Sequence, residues 1–271
     1  MKKKLLISTV VDEKYQYYIP LFVLSLAMNY PEYDIKIFTH GKINSVVIKA
    51  LEIAGGNCEL IPGVFDEWVK YKYSPISWRF LVQPKHYEGY DYVYVTDIDM
   101  MIIKEKVSLL TFHKLEMQKT GLCYSNSLRN RKHWQGHKSL TGLHFFNQVW
   151  LKKTETARKH YAKLVKKGLR GKVREFDGRM LYKMAKVAGL KFPEKKPLVK
   201  RHHGIHLGGN YRLFSSKYKI QKRIDKRKCK RWIKLKEDPR YTEICELISI
   251  DPMVKKQLKW LDAHCKRVLK K

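Results

Sequence analysis

The sequence has 271 residues, of which 44% are hydrophobic and nine are prolines. That length suits one large α/β domain with an appendage, or two small domains, and it can bury a sizeable core. The longest apolar runs near the N-terminus, Leu5 to Val11 and Ile19 to Met28, are too short to span a bilayer. Lysines precede the first run, but that run is short and ends in acids, so we expect no export signal and a cytoplasmic protein.

Basic residues dominate the charge, since 57 Lys and Arg outnumber 25 Asp and Glu and give a formal net charge of +32. The segment from Lys217 to Lys236 holds eleven Lys or Arg and one acid, Asp225. A positive electrostatic field of this strength favours nucleic acid, anionic lipid or an acidic glycan as a partner. The alternative is that the charge only keeps the protein soluble. The five cysteines are scattered and form no C-x-x-C pair, so neither a disulfide framework nor a zinc site is indicated.

The first half of the chain alternates between strand patterns and helix patterns. In chain order they are a buried strand in KKKLLISTV, a helix in VDEKYQYYIPLFVLSLAMNY, a strand in YDIKIFTHG, a helix in INSVVIKALEIAGG, a strand in CELIPG, a helix in SPISWRFLVQPKHY and a strand in DYVYVTD. We expect the first helix to open at Asp12 with Pro20 in its first turns. We expect the second to close at Gly55 and Gly56.

The second half continues with a strand, two helices and a late strand, after which the composition becomes strongly basic. These segments are LTGLHFFNQVWL, TETARKHYAKLVKKGL, GRMLYKMAKVAGL and KPLVKRHHGIHLG. Thr154 or Thr156 is expected to cap the first of the two helices. The predicted fold class is α/β, a mostly parallel Rossmann-like sheet with helices on both faces. Beyond about Arg212 basic helical segments follow, so we divide the chain into a sheet domain, residues 1–212, and a C-terminal extension, residues 213–271.

The stretch VYVTDIDMMI places two carboxylates, Asp97 and Asp99, at the end of an apolar strand. Ligands of a mostly parallel sheet bind beyond the carboxyl ends of its strands, which is where these acids fall. Residues two apart on an extended backbone point to the same side, so both acids can bind one cation while Ile98 faces the other way. Oxygen ligands suit Mg²⁺ or Mn²⁺, which usually bridge a protein to a diphosphate. The alternative is a pair of solvated acids in a turn.

YDYVYVTDIDMMI resembles the D-x-D segment of the GT-A nucleotide-sugar glycosyltransferases. It is most similar to the family that includes glycogenin and bacterial lipopolysaccharide galactosyltransferases. Four further segments lie in that family's order: LLISTVVDEKYQYYIPLFVLSL, SPISWRFLVQP with Arg79, TGLHFFN with Gly142 and Asn147, and HLGGNYR with His206, Gly209 and Arg212. Together the resemblance covers roughly residues 3 to 212.

The resemblance implies the GT-A fold and a metal-dependent glycosyltransferase. The donor would be a nucleoside diphosphate sugar, by this likeness a UDP-sugar, and the acceptor a glycan or glycolipid, as in polysaccharide biosynthesis. The cofactor would be Mn²⁺ or Mg²⁺, which stabilises charge on the departing phosphate. The family retains the anomeric configuration, so retention is the expected outcome here.

The resemblance also assigns roles to residues. The metal ligands would be Asp97, Asp99 and His206, with His202 or His203 as alternatives to the last. The residues expected to contact the nucleotide sugar are Thr9, Val10, Val11, Asp12, Tyr15, Arg79, Asp97, Ile98, Gly209 and Arg212. The residues expected to take part in catalysis are Asp97, Asp99, Asp177 and Arg79. Arg79 would either meet the diphosphate or hold Asp97 in place, and the alternative is a surface ion pair.

Three positions depart from the family's pattern. The first Asn of its N-x-G stretch falls on Leu140 or Thr141. Its D-Q-D stretch falls on REFDGRMLY, where Asp177 is the surviving acid, Glu175 is a nearby option, and Asp177 also suits a helix cap. A family Lys becomes Arg212, which keeps the charge but alters the geometry. His144, in an apolar strand, is predicted to be a core histidine rather than a substrate contact.

The basic C-terminal stretch suggests two binding hypotheses. In the first it lies on an anionic membrane, with Trp232, Ile233 and Trp260 entering the interface and a lipid-linked acceptor nearby. In the second it binds the phosphates of a nucleic acid, and the protein is a nucleic-acid-binding protein rather than an enzyme. A nucleotide-sugar-binding protein without transferase activity is a further alternative. The ordered motifs favour the enzyme, and no RNA- or DNA-binding motif is visible.

Overall fold

The computed structural model describes residues 4–66, 75–130, 138–166, 177–193, 204–208 and 224–270. The strands found in these ranges are β1 (Leu5–Asp12), β2 (Asp34–His40), β3 (Cys58–Ile61), β4 (Tyr92–Val95), β5 (Met100–Ile102), β6 (Tyr124–Ser125), β7 (Arg129–Asn130), β8 (Lys138–Ser139), β9 (His144–Asn147) and β10 (Gly204–His206). The helices found there are α1 (Ile19–Asn29), α2 (Ser45–Ala54), α3 (Leu109–Thr120), α4 (Gln148–Lys166), α5 (Asp177–Val187), α6 (Lys226–Lys236), α7 (Pro239–Ile248) and α8 (Pro252–Lys270).

A six-stranded sheet with the order β3-β2-β1-β4-β9-β6 forms the centre of the described structure. Strands β1 to β4 run parallel to one another, whereas β9 runs antiparallel to both β4 and β6. The prediction of an α/β fold with a mostly parallel sheet is therefore confirmed. Because the carboxyl ends of β1 and β4 lie at one edge, the residues that follow these two neighbouring strands meet there.

The two faces of the sheet are covered by different helices, as the alternation along β1 requires. Leu5 and Ile7 belong to the core that includes side chains of α1, α2, α3 and the C-terminal helices. Leu6 and Val10 point the other way, into the core that α4 and α5 cover. Every residue from Leu5 to Val11 is buried, which is expected of a strand with helices on both of its faces.

The first helix begins later than predicted. Asp12 is the last residue of β1, and its Oδ1 accepts a hydrogen bond from the Tyr15 backbone N–H at 3.1 Å. A 3₁₀ turn, Gln16–Tyr18, follows before α1 starts at Ile19. The prediction that the helix opens at Asp12 is wrong because the Asp12 carboxylate closes a turn instead of capping a helix. Pro20 does lie in the first turn, where its missing N–H costs no hydrogen bond.

Two other segments also differ from the prediction. The strand expected over residues 140–151 covers only β9, because the Asn147 side chain accepts from the Val149 N–H at 3.1 Å and starts α4. Thr154 and Thr156 therefore lie inside that helix and do not cap it. The segment expected to be one helix near residues 74–87 contains two 3₁₀ helices, Pro75–Phe80 and Pro84–Tyr87.

The C-terminal helices are packed into the same core as the sheet. Trp232 of α6 is completely buried, and its Nε1 donates to Asp262 Oδ1 on α8 at 2.8 Å. The interpretation in which Trp232 enters a membrane interface is therefore wrong, because α6 turns its apolar face inward. Arg227 pairs with the buried Glu105, and Arg240 donates to the Ala54 carbonyl at 2.9 Å.

The domain division at residue 212 stays a prediction, since residues 209–223 lie outside the described ranges.

No helix in the described ranges combines the length and the apolarity that crossing a membrane demands.

Candidate functional site

The two aspartates lie in the connection between β4 and β5. β4 ends at Val95, and the turn that follows is closed by a hydrogen bond from Met100 N–H to the Asp97 carbonyl at 3.3 Å. The Ile98 side chain is buried in the core of the α1 face, so it diverges from its two neighbours. Asp99 is only 5% exposed, and Asp97 is partly exposed. A buried carboxylate needs a cation or hydrogen-bond donors, which argues against the alternative of two solvated turn acids.

A short antiparallel pairing brings His206 to these acids. β10 pairs with β5 so that His206 lies opposite Met100, and the Leu207 N–H donates to the Asp99 carbonyl at 2.8 Å. Gly208 permits this approach, because a Cβ at that position would overlap with Asp99 Oδ2. The segment that carries the histidine is therefore held directly against the turn that carries the carboxylates.

Asp97, Asp99 and His206 each offer one ligand atom, and these atoms lie within 4.8 Å of one another. His206 Nε2 is 3.0 Å from Asp99 Oδ1 and 3.9 Å from Asp97 Oδ2. Two carboxylate oxygens and one imidazole nitrogen form a ligand set that suits a divalent cation such as Mn²⁺ or Mg²⁺. With three protein ligands, an octahedral ion would keep positions for oxygen atoms of a substrate. The residues present therefore fit the expected metal.

Arg79 supports one of the two carboxylates. Arg79 is 3% exposed, and its guanidinium forms an ion pair with Asp97 Oδ1. Its Nη1 also lies 3.5 Å from the Thr96 carbonyl oxygen. The ion pair engages Oδ1, whereas Oδ2 is the atom nearer His206. Of the two roles expected for Arg79, this contact supports the one that holds Asp97 in place. A surface ion pair does not describe it, because the side chain is buried.

A second pair of side chains, from the residues before α1 and from the C-terminal helix α8, lies near Asp99. The Tyr18 hydroxyl, just before α1, donates to Gln257 Oε1 of α8 at 2.7 Å, and both side chains are buried. Burial, and after it the charge of Asp99, raises the pKa of Tyr18, so its hydroxyl stays protonated. Reasoning from the sequence missed Gln257, because a single Gln in a basic amphipathic helix carries no signal of its neighbours.

The residues at and after the end of β1 that are expected to contact the nucleotide differ in the exposure of their side chains. Thr9, Val10 and Val11 have buried side chains, and the Thr9 hydroxyl donates to the Thr96 carbonyl at 2.9 Å. Any contact of these three residues with a ligand would therefore use backbone atoms, as expected. Asp12, the last residue of β1, and Tyr15 are both partly exposed. The ring of Tyr15 stacks on that of Tyr18, with the ring centroids 5.9 Å apart.

The segments that diverge from the family's pattern lie against one another. Asp177 is the first residue of α5, although its side chain is outside the described part of the structure. The next residue, Gly178, accepts a hydrogen bond from the Leu140 N–H at 2.9 Å. Asn126 Oδ1 accepts from the Thr141 N–H at 2.8 Å, so the Leu140–Thr141 segment is held from both sides. Gly209, Arg212, His202, His203 and Glu175 lie outside the described residues.

His144 is buried beside β4, in the register position opposite Val95. Its Nδ1 lies 2.9 Å from Asn126 Nδ2, and its Nε2 has no hydrogen-bond partner among the described residues. Burial lowers the pKa of His144 to about 3, so the ring is neutral at physiological pH. These contacts agree with the prediction of a core histidine.

No family model matches this sequence, and no curated protein matches it. Among solved structures, the chain is similar to the glycosyltransferase GlyE of Streptococcus pneumoniae TIGR4, with 13% identity, a TM-score of 0.49, and coverage of 80% of this chain and 50% of GlyE. It is similar to the galactosyltransferase LgtC in complex with donor and acceptor sugar analogues, with 18% identity, a TM-score of 0.43, and coverage of 65% and 69%. It is also similar to core-mannan synthase A of Aspergillus fumigatus in a Mn/GDP form, with 9% identity, a TM-score of 0.48, and coverage of 68% and 70%.

The chain thus spans half the length of GlyE. At these identities and scores, the likeness assigns no activity to this protein.

Proposed function

We propose that this protein is a metal-dependent glycosyltransferase that moves a sugar from a nucleoside diphosphate sugar to a glycan or glycolipid acceptor. The observation that carries the proposal is the convergence of Asp97, Asp99 and His206 within 4.8 Å at the carboxyl edge of a mostly parallel sheet. Carboxylates in that position suit a divalent ion that is shared with a diphosphate.

In this proposal Asp97, Asp99 and His206 hold Mn²⁺ or Mg²⁺, which supplies charge neutralisation for the departing nucleoside diphosphate. Arg79 positions Asp97, and the β5–β10 pairing positions His206. Because the backbone segments that carry Asp99 and His206 are hydrogen-bonded to each other, little reorganisation is needed when the donor binds.

The donor is proposed to be a UDP-sugar, whose base and ribose lie against Asp12, Tyr15 and the backbone at the end of β1. Gly209 and Arg212 are proposed to meet the diphosphate, and retention of anomeric configuration is the proposed outcome. These assignments rest on the order of the sequence motifs, together with the position of the β1 end beside β4.

Replacing Asp97 or Asp99 by Asn tests this function directly. We expect each variant to lose Mn²⁺-dependent hydrolysis of a UDP- or GDP-sugar donor by at least about 100-fold, since even residues that only orient metal ligands contribute 10- to 100-fold. Asp91→Asn, at the opposite and exposed end of β4, is the matched control. Wild-type donor hydrolysis and wild-type Mn²⁺ affinity in both site variants would refute the proposal. Tight nucleotide binding with no turnover across a panel of donors and acceptors would favour a binding protein.

We also propose that the enzyme associates with an anionic membrane surface through its C-terminal helices. The outward face of α6 carries Lys230, Arg231 and Lys234, all exposed, while its apolar side chains are buried in the core. Each cation near such a surface contributes about 1 kcal/mol, so changing all three to Gln should weaken binding to phosphatidylserine vesicles by roughly 100-fold. An equal loss in a variant that changes the exposed Lys152, Lys153 and Lys163 of α4 would contradict a specific role for α6.

A further inference from the structure

Gln257 places a side chain of the C-terminal helix α8 next to the corner formed by Asp97, Asp99 and His206. Its side chain is only 3% exposed, although it lies in a helix whose neighbours Lys255 and Lys259 face solvent. The Tyr18 hydroxyl donates to its Oε1 at 2.7 Å. In this arrangement the amide oxygen faces Tyr18 and the NH₂ group faces away from it.

The NH₂ group of Gln257 borders the segment that carries His206. A Cβ built on Gly208 would lie 3.9 Å from Gln257 Nε2 and would also overlap with Asp99 Oδ2. The amide nitrogen and the Asp99 carboxylate therefore flank the same glycine. The hydrogen bond from Tyr18 uses the amide oxygen, so it does not engage the two N–H donors of Nε2 beside Gly208 and Asp99.

We propose that Gln257 Nε2 donates a hydrogen bond to a phosphate oxygen of the nucleoside diphosphate donor, so that the C-terminal helix supplies part of the donor site. The inference rests on the proposed function, since it requires a diphosphate beside Asp99. A neutral amide is suited to this position, because it offers two donors without competing with the divalent ion for the carboxylates.

The test is Gln257→Met, which keeps the volume of the side chain and removes both donors. Binding of Mn²⁺ alone, of UDP with Mn²⁺ and of GDP with Mn²⁺ would be measured on the full chain by isothermal titration calorimetry. We expect the nucleotide that binds the wild type to bind Gln257→Met about 10- to 100-fold more weakly, as loss of a hydrogen bond to a charged group predicts. Mn²⁺ affinity and the unfolding temperature should stay at wild-type values.

Two further variants complete the comparison. Lys259→Met, on the exposed side of α8, should leave nucleotide affinity unchanged. Tyr18→Phe keeps the buried ring but frees Gln257 Oε1, so it should weaken nucleotide binding by a smaller factor than Gln257→Met. A Tyr18→Phe protein with wild-type nucleotide affinity would contradict the orientation of the amide.

The outcomes separate this inference from the function on which it rests. If Asp99→Asn abolishes nucleotide binding while Gln257→Met stays within about twofold of wild type, the inference is overturned and the proposed function stands. If Gln257→Met weakens Mn²⁺ binding or lowers the unfolding temperature to the same extent as it weakens nucleotide binding, Gln257 is a structural residue and the inference fails. If neither UDP nor GDP binds the wild type with Mn²⁺, the proposed function fails and the inference fails with it.

Discussion

The corner formed by Asp97, Asp99, His206 and Arg79 uses charge in the opposite way to the C-terminal helices. The corner buries polar groups, with two carboxylates, one arginine and one histidine close together. The C-terminal helices bury aromatic and aliphatic groups, and they turn most of their many cations to solvent. Because buried polar groups stabilise a fold poorly unless all are paired, the corner has the properties of a functional site. The helices owe their place to apolar packing, and their charge remains available for a partner.

The largest expected effect lies in the C-terminal helices. Trp232→Ala removes a fully buried indole and one of the two donors to Asp262 Oδ1, the other being Lys236 Nζ. We therefore expect a loss of about 3–5 kcal/mol in the free energy of unfolding. Chemical denaturation of the full chain would measure it. A loss below about 1 kcal/mol would mean that these helices do not share the core of the sheet in solution.

The next effect concerns the corner. Gly208→Ala places a methyl group on Asp99 Oδ2, so either the carboxylate or the segment carrying His206 must shift. We expect Mn²⁺ affinity to fall by about 10- to 100-fold, as it does when groups that orient metal ligands are changed. Titration of Mn²⁺ followed by electron paramagnetic resonance would measure it. Unchanged affinity would show that this glycine does not set the position of Asp99.

The next effect, which is smaller when counted per pH unit, should appear on acidification and should come from a buried polar group outside the corner. The folded-state pKa of His144 is about 3, below its ordinary value of 6.5, so between these values the unfolded chain binds a proton that the folded chain does not. Stability from this group is present above pH 6.5 and is lost as the pH falls. The slope should reach about 1.4 kcal/mol per pH unit. His144→Gln should flatten the dependence of unfolding free energy on pH, and an unaltered slope would contradict the assignment.

The smallest effect should come from the exposed cations. Lys230→Gln and Lys234→Gln flank Trp232 in sequence but face solvent, so each should change the free energy of unfolding by no more than about 0.5 kcal/mol. Measured beside Trp232→Ala in the same denaturation series, they show whether α6 is divided into a structural face and a solvated face. Losses comparable to that of Trp232 would remove the distinction.

Most of the sheet could be predicted from the sequence, because its strands are short apolar runs that end in turn residues. The strands β1 to β4 all appear where the pattern places them, apart from small differences at their ends. The start of α1 could not be predicted, since an Asp before a helical pattern signals a cap whether it closes a turn or begins a helix. The change from strand to helix at Asn147 was missed for a similar reason, because both sides of it are apolar.

The placement of Asp97 and Asp99 at a strand end could be predicted from the sequence, but only some of the side chains around them could be. Motif order pointed to Arg79 and His206, although the spacing along the chain left other histidines open. Gln257 had no signal, because only the packing of α8 against the residues before α1 brings it near Asp99. The aromatic side chains of α6 gave a misleading signal, since the sequence shows that a tryptophan is apolar without showing which surface covers it.

What the sequence by itself determined is the class of fold and the edge where a ligand would bind, because local periodicity decides which residues of a strand or helix are buried. Tertiary structure alone decided that the C-terminal helices join the sheet's core and that Gln257 lies near Asp99. The physical reason is that contacts between distant segments depend on strand register and on the packing of whole helix faces, which no local pattern records.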